Sequence, residues 1–218
     1  MKLFHLSLIL LTFFTCGEKE FGVSVNPNSF EEKLSNAALS IVDPNIDYDP
    51  TYFSLKYPNG DVPKDKGVCT DVVIRAYRKL DIDLQKEVHE DMLKKFSLYP
   101  NIKKWGLHKT DTNIDHRRVP NLEVFFARKG TKLSITESAN DYKTGELVTW
   151  MIGNKYPHIG IVTNKKSLDG NRLMIVHNVG NGQVLKDCLF DWKIVGHFSI
   201  KNSFVISTKE KSQIMKTN

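Results

Sequence analysis

The sequence predicts an α+β domain whose sheet is antiparallel. Apolar residues at helical spacing fill the chain to about residue 126, and short β-rich runs separated by Gly, Asn, Asp and Lys fill the remainder. Helices gathered ahead of strands indicate segregated layers rather than alternating βαβ units. At 218 residues and 40% apolar content the chain supports one sizeable core. No internal repeat or low-complexity tract argues for a second domain.

At the N-terminus, Lys2 precedes a mostly apolar run over residues 3–14, and Thr15-Cys16-Gly17-Glu18-Lys19-Glu20 follows. Such a run is too short to cross a bilayer, whereas a basic start, a short apolar centre and a polar sequel make a secretory signal. Residues 1–15 are therefore assigned to a signal and 16–28 to a tether, which makes the chain an exported protein of the bacterial periplasm or cell envelope. Cys16 stands where a lipoprotein signal carries its lipidated cysteine, although Phe13, Phe14 and Thr15 are bulkier than such a site prefers. Membrane attachment through a lipidated Cys16 and ordinary cleavage nearby both remain open.

Ser29 followed by Glu32 is a capping box, and the stripe Phe30, Leu34, Ala37, Ala38, Ile41 gives a helix from about Ser29 to Val42. Residues 43–66, rich in Pro, Asp, Asn and Tyr, read as an ordered loop wrapped onto the domain. Val72, Val73, Ala76, Tyr77 and Leu80 then recur at helical spacing, so Cys69 sits where loop becomes helix. Leu84, Val88, Met92 and Phe96 mark the next helix, and Pro100 closes it. Residues 101–120 read as a polar loop, after which Asn121 caps a short helix that Gly130 ends. Strands are expected at 133–135, 147–151, 159–163, 173–176 and 195–200, within a domain spanning 29–202 and followed by a basic tail at 203–218.

Chemistry gathers around Cys69. The free N–H groups and dipole of a helix start favour thiolate over thiol, and a nearby histidine lowers the pKa further. A nucleophilic cysteine needs a base and a third group that fixes the base's tautomer. His158 opens one strand and His177-Asn178 ends the next, with the turn signal Asp169-Gly170 between them. Setting His158 opposite His177 centres that hairpin between residues 167 and 168. The Cys69 sulfur and a His158 nitrogen are then expected within about 4 Å. His177 and Asn178 point to opposite faces, so only one can meet the His158 ring, and apolar residues on both faces leave the choice open.

Gly145-Glu146-Leu147-Val148-Thr149-Trp150, His158-Ile159-Gly160-Ile161-Val162 and Ile175-Val176-His177 resemble the C-terminal half of the NlpC-type and CHAP-type cell-wall cysteine peptidases and amidases. The sequence departs from them upstream, with Val68-Cys69-Thr70-Asp71 where those families carry Asp-Cys-Ser. A wider resemblance rests on Gly60-Asp61-Val62-Pro63, the run from Gly67 to Ala76, Val88-His89-Glu90-Asp91-Met92, the run from Asn113 to Leu122, and His177-Asn178-Val179-Gly180. These are similar to a bacterial exported family catalogued as a domain of unknown function, number twelve-eighty-seven. The resemblances imply a papain-like (NlpC-type) fold, a third catalytic residue at His177, with Asn178 as the alternative closer to the papain Asn, and peptidoglycan as substrate.

The leading expectation is thus an exported, monomeric cysteine hydrolase without cofactor or metal, cleaving amide bonds of peptidoglycan or another peptide through Cys69, His158 and His177. Substrate contacts are expected from Asp71, Asp115, His116, Arg117, Arg118 and Trp150. An arginine fork suits a carboxylate, although the 115–118 cluster serves equally well as internal salt bridges. Two other classes compete. One is a non-catalytic envelope protein with a Cys69–Cys188 disulfide, against an expectation that Cys188 is unpaired and dispensable. The other is a zinc hydrolase using His158, His177 and His197, for which no compact ligand pair exists. The formal charge of +6 suits an anionic partner, and no basic-aromatic motif suggests nucleic acid.

Overall fold

The computed structural model describes residues 29–200 and 204–208; the signal, the tether and Cys16 lie outside the described residues. Among the described residues the helices ahead of the main sheet are α1 (Phe30–Leu39), α2 (Cys69–Arg78), α3 (Leu84–Lys95), α4 (Asn101–Trp105) and α5 (Val119–Lys129). Two short strands, β1 (Asp47–Tyr48) and β2 (Lys66–Gly67), pair in parallel and tie the long loop to the start of α2. The remaining strands are β3 (Gly130–Lys132), β4 (Leu147–Ile152), β5 (Tyr156–Lys166), β6 (Leu173–His177), β7 (Val184–Lys186) and β8 (Lys193–Ile200). They form one antiparallel sheet in the order β3-β8-β4-β5-β6-β7. The expected α+β class holds.

Local chemistry explains where elements begin and end. Ser29 accepts the Glu32 N–H at 3.2 Å and starts α1, but Glu32 does not complete the box, since its carboxylate accepts from Asn164 instead. α1 stops at Leu39, short of the expected Val42, because the Ile41 and Val42 N–H groups reach back only three residues and Gln183 takes the Ile41 carbonyl. α5 starts two residues before Asn121, with Pro120 in its first turn. Asn121 is therefore no cap; it donates to the Asp115 carbonyl at 3.0 Å. α4 and β7 had no strong periodic signal, and residues 133–135, expected as a strand, lie outside β3, which ends at Lys132.

Side-chain alternation gives the sheet two unlike faces. Leu147, Ile159, Ile161, Val176 and Phe198 join Leu34, Val72, Val73, Leu122 and Phe126 of the helices in the main core. Val148, Trp150, Val162 and Ile175 face the other way, under Tyr142, Cys188 and Leu189. Burying each large apolar side chain stabilises the fold by roughly 1.5–3 kcal/mol, so both faces matter. Phe204 and Val205, in a helical turn at 204–208, also enter the main core, and the Phe204 ring lies 5.6 Å from that of Phe125. The packed domain thus runs past the expected boundary at 202.

Candidate active site

The β5–β6 hairpin places two imidazoles together. Ile161 pairs with Val176, so at this end of the hairpin the register is offset by two residues from the one the sequence suggested and Gly160, not His158, stands beside His177; a register shift between Val162 and Lys166 then sets Lys166 opposite Leu173 at the turn. The two-residue offset keeps both histidines on the same face, where diagonal neighbours are within reach of long rings. His158 Nε2 lies 2.9 Å from His177 Nδ1. Gly160 makes this possible: a Cβ there would stand 2.5 Å from the Ile175 side chain and 3.3 Å from His177 Cβ. Asn178 points the other way, donating to the Gly67 carbonyl at 3.3 Å and accepting the Gly180 N–H.

Both rings are buried in an aromatic box. Trp150 and Trp192 lie 5.7 and 5.5 Å from the His158 ring, and Trp192 lies 5.9 Å from that of His177. Burial, reinforced by the neighbouring imidazole, pulls the His158 pKa down to about 3. Burial and then Lys186 pull His177 down to about 4, against a smaller opposing pull from Asp191. At neutral pH both rings are uncharged, each with one N–H and one lone pair.

Cys69 is the first residue of α2, 4% exposed. Val162 gives its N–H to Glu146 on the β4 side, so the Ile159 N–H points to the β6 side, and β6 has ended at His177. The Cys69 sulfur lies on that side, near the N–H groups of Ile159, Thr70 and Cys69 itself. It is thus one peptide unit from His158, but no hydrogen bond joins thiol and ring directly, in contrast to the contact expected. The expected thiolate is also reversed. Burial pushes the Cys69 thiol up to about 12, and nearby Asp71 adds to this, outweighing the three N–H groups that favour the anion. Cys69 and His158 are both uncharged at neutral pH.

The sulfur opens onto a pocket of about 200 Å³, whose wall includes Tyr48, Pro50, Trp105, Arg117, Arg118 and Pro157. A larger cavity of about 530 Å³ lies at the far end of α2, around Arg75 and Arg78, but its lining holds neither cysteine nor histidine. Its arginines are engaged structurally, with Asp61, Gln183 and the carbonyls of Gly60, Pro63 and Lys66.

The residues proposed for substrate contact divide. Asp71 is buried, accepts the Val68 N–H at 2.7 Å and holds Arg117 by two 3.0 Å hydrogen bonds. Arg117 also donates to the carbonyls of Thr51 and Asp49, on the loop that walls the pocket. Asp115 is buried and accepts from Asn101, the Asp111 N–H and Arg118. Burial, with Arg117 and Arg78 behind it, drives the His116 pKa down to about 3. Trp150 gives its indole N–H to the Leu189 carbonyl on the sheet face away from α2. Structure thus assigns Asp71, Asp115, His116 and Trp150 to packing. Arg118 remains partly open, its guanidinium 4.4 Å above the half-exposed Trp105 ring. Tyr48, Trp105 and Trp192 were missed, although aromatic residues within polar stretches were the available signal.

Cys69 and Cys188 are both free thiols, in separate clusters on the two faces of the sheet. The disulfide alternative therefore has no support. His197 does not join the other two histidines in a zinc site: Glu146 Oε2 lies 2.7 Å from its Nε2 and the Ser134 carbonyl 3.0 Å from its Nδ1.

Residues 35–200 match the family described as domain of unknown function (DUF1287). The chain belongs to that family. It is 46% identical over 165 residues to the uncharacterized protein YijF of Escherichia coli (strain K12), a match covering 76% of this chain and 79% of that protein. No solved structure matches the chain. The family carries no stated activity, so function rests on the site.

Proposed function

We propose that this chain is a cysteine hydrolase of amide bonds with Cys69 as nucleophile, His158 as general base and His177 as the group that orients it. The observation that carries the reading is the His158–His177 pair at 2.9 Å, one peptide from a thiol at a helix start that opens on a pocket. With Nε2 bonded to His177, His158 has Nδ1 available for the thiol proton. Attack on a carbonyl transfers that proton to His158, which returns it to the leaving amine, and water then hydrolyses the thioester. The N–H groups of Cys69 and Thr70, in the unbonded first turn of α2, suit the developing oxyanion. Neutral partners at rest imply that the proton moves with the attack and not before it.

Arg118 is the cation best placed to read a substrate carboxylate, with Trp105 supporting its fork. A carboxylate beside a scissile amide, an exported chain with a lipid-anchored or cleaved signal, and the resemblance to NlpC-type enzymes together favour peptidoglycan stem peptides and a papain-like fold. Digestion of purified cell wall, with products identified by mass, tests this. New amine and carboxylate ends are expected from wild type and none from Cys69→Ala. Equal cleavage by both, or none by folded wild type, overturns the reading.

A further inference from the structure

The His177 ring is bonded at both nitrogens. Nδ1 lies 2.9 Å from His158 Nε2, and Nε2 lies 3.5 Å from the sulfur of Cys188, a fully buried residue between β7 and β8. The direction of this chain has chemical consequences, because a neutral imidazole carries a single N–H. For His158 to accept a proton at Nδ1, its own proton must sit on Nε2 and be donated to His177 Nδ1. His177 must then carry its proton on Nε2, aimed at the Cys188 sulfur. The reverse polarity, with the thiol donating to His177, would put the His158 proton on Nδ1 and remove the base.

We propose that Cys188 is a positioning residue: its sulfur accepts the His177 Nε2–H and thereby selects the one tautomer of the pair that leaves His158 basic toward Cys69. The inference rests on the Cys–His–His reading. It also replaces the expectation that Cys188 is dispensable. Sulfur is a weak acceptor in water, but in a box closed by Trp150 and Trp192 no solvent competes for the N–H. The same direction persists when His158 becomes an imidazolium, since its Nε2–H still points to His177.

Two measurements on the full chain test it. Nitrogen NMR of the wild-type imidazoles at neutral pH should find His177 protonated on Nε2; protonation on Nδ1 overturns the proposal without any variant. The second is the alkylation rate of Cys69 by iodoacetamide, with the modified site identified by mass. Cys188→Ala should slow it about tenfold and mix the tautomers, while Cys188→Ser, whose oxygen also accepts, should return it to within about threefold of wild type. A folded Cys188→Ala that alkylates like wild type while His158→Ala is slowed overturns the role of Cys188 and leaves the base in place. Equal rates in wild type and His158→Ala would remove the catalytic reading, and this inference with it.

Discussion

His158 and His197 are buried on the same face of the sheet, on the two strands that flank β4, yet their pKa values move in opposite directions. Burial disfavours the charged form of each. At His197 the hydrogen bonds to Glu146 and the Ser134 carbonyl outweigh it and raise the pKa, favouring the charged ring, which stacks 4.4 Å from Tyr142. At His158 the partner is another imidazole, nothing offsets burial, and the ring stays neutral. A carboxylate partner favours the charged form of a buried histidine, while a neutral partner leaves it with one N–H and one basic nitrogen.

The largest expected difference is in turnover. His158→Ala should lower kcat on an amide substrate by roughly 10²–10⁴-fold, the scale of general base catalysis. His197→Ala, in folded protein, should lower it by less than about threefold. An equal loss at both sites would erase the distinction.

Buried permanent charge sharpens the comparison. Arg117→Ala leaves the buried Asp71 without its guanidinium partner under the start of α2, which should cost about 3–5 kcal/mol in denaturant unfolding. A loss below about 1 kcal/mol would mean that the pair is well solvated.

Acid should separate the two kinds of histidine. His116, His158 and His177 have folded pKa values of about 3, 3 and 4, below the ordinary 6.5, so the unfolded chain binds more protons between those limits. Stability is then full above about pH 6.5 and falls as pH drops toward 4, by up to about 1.4 kcal/mol per pH unit for each ring. His197, with its raised pKa, contributes in the opposite sense: its stabilisation is complete below pH 6.5 and is lost as pH rises through its folded value. Unfolding free energies from pH 4 to 8 check both signs.

The finest test converts one site into the other. His177→Asp gives His158 a carboxylate partner like that of His197, so its pKa should rise. Activity should then disappear on the acid side of neutrality, where the wild-type base stays deprotonated down to about pH 3. An unchanged pH–rate profile in the folded variant would dissociate His177 from the base.

The sequence made the elements legible and the partners of charged residues illegible. Val72, Val73, Ala76 and Tyr77 declared α2, and the flanking strands of the β5–β6 hairpin were visible with their faces correct despite a shifted register. An error of two residues preserves the face and an error of one would not, which is why the histidine pair survived. Burial is a tertiary property, and it reversed the ionisation expected for Cys69 from helix position alone. Asp71 and Arg117 are 46 residues apart, and nothing local distinguishes a fork aimed at substrate from one aimed inward. Cys188 was read as isolated because its neighbour, His177, lies on another strand.

That inward-facing fork has a mechanical consequence. Arg117 clasps Asp71 at the start of α2 and the carbonyls of Asp49 and Thr51 in the opposite wall, while β1–β2 pairing and the 2.6 Å Lys66–Asp49 salt bridge brace the same loop. Cys69 and the pocket wall are riveted into one frame, so the cleft cannot gape without breaking a buried ion pair. A ligand must therefore fit an aperture cut in advance, giving up its own freedom while the protein gives up little.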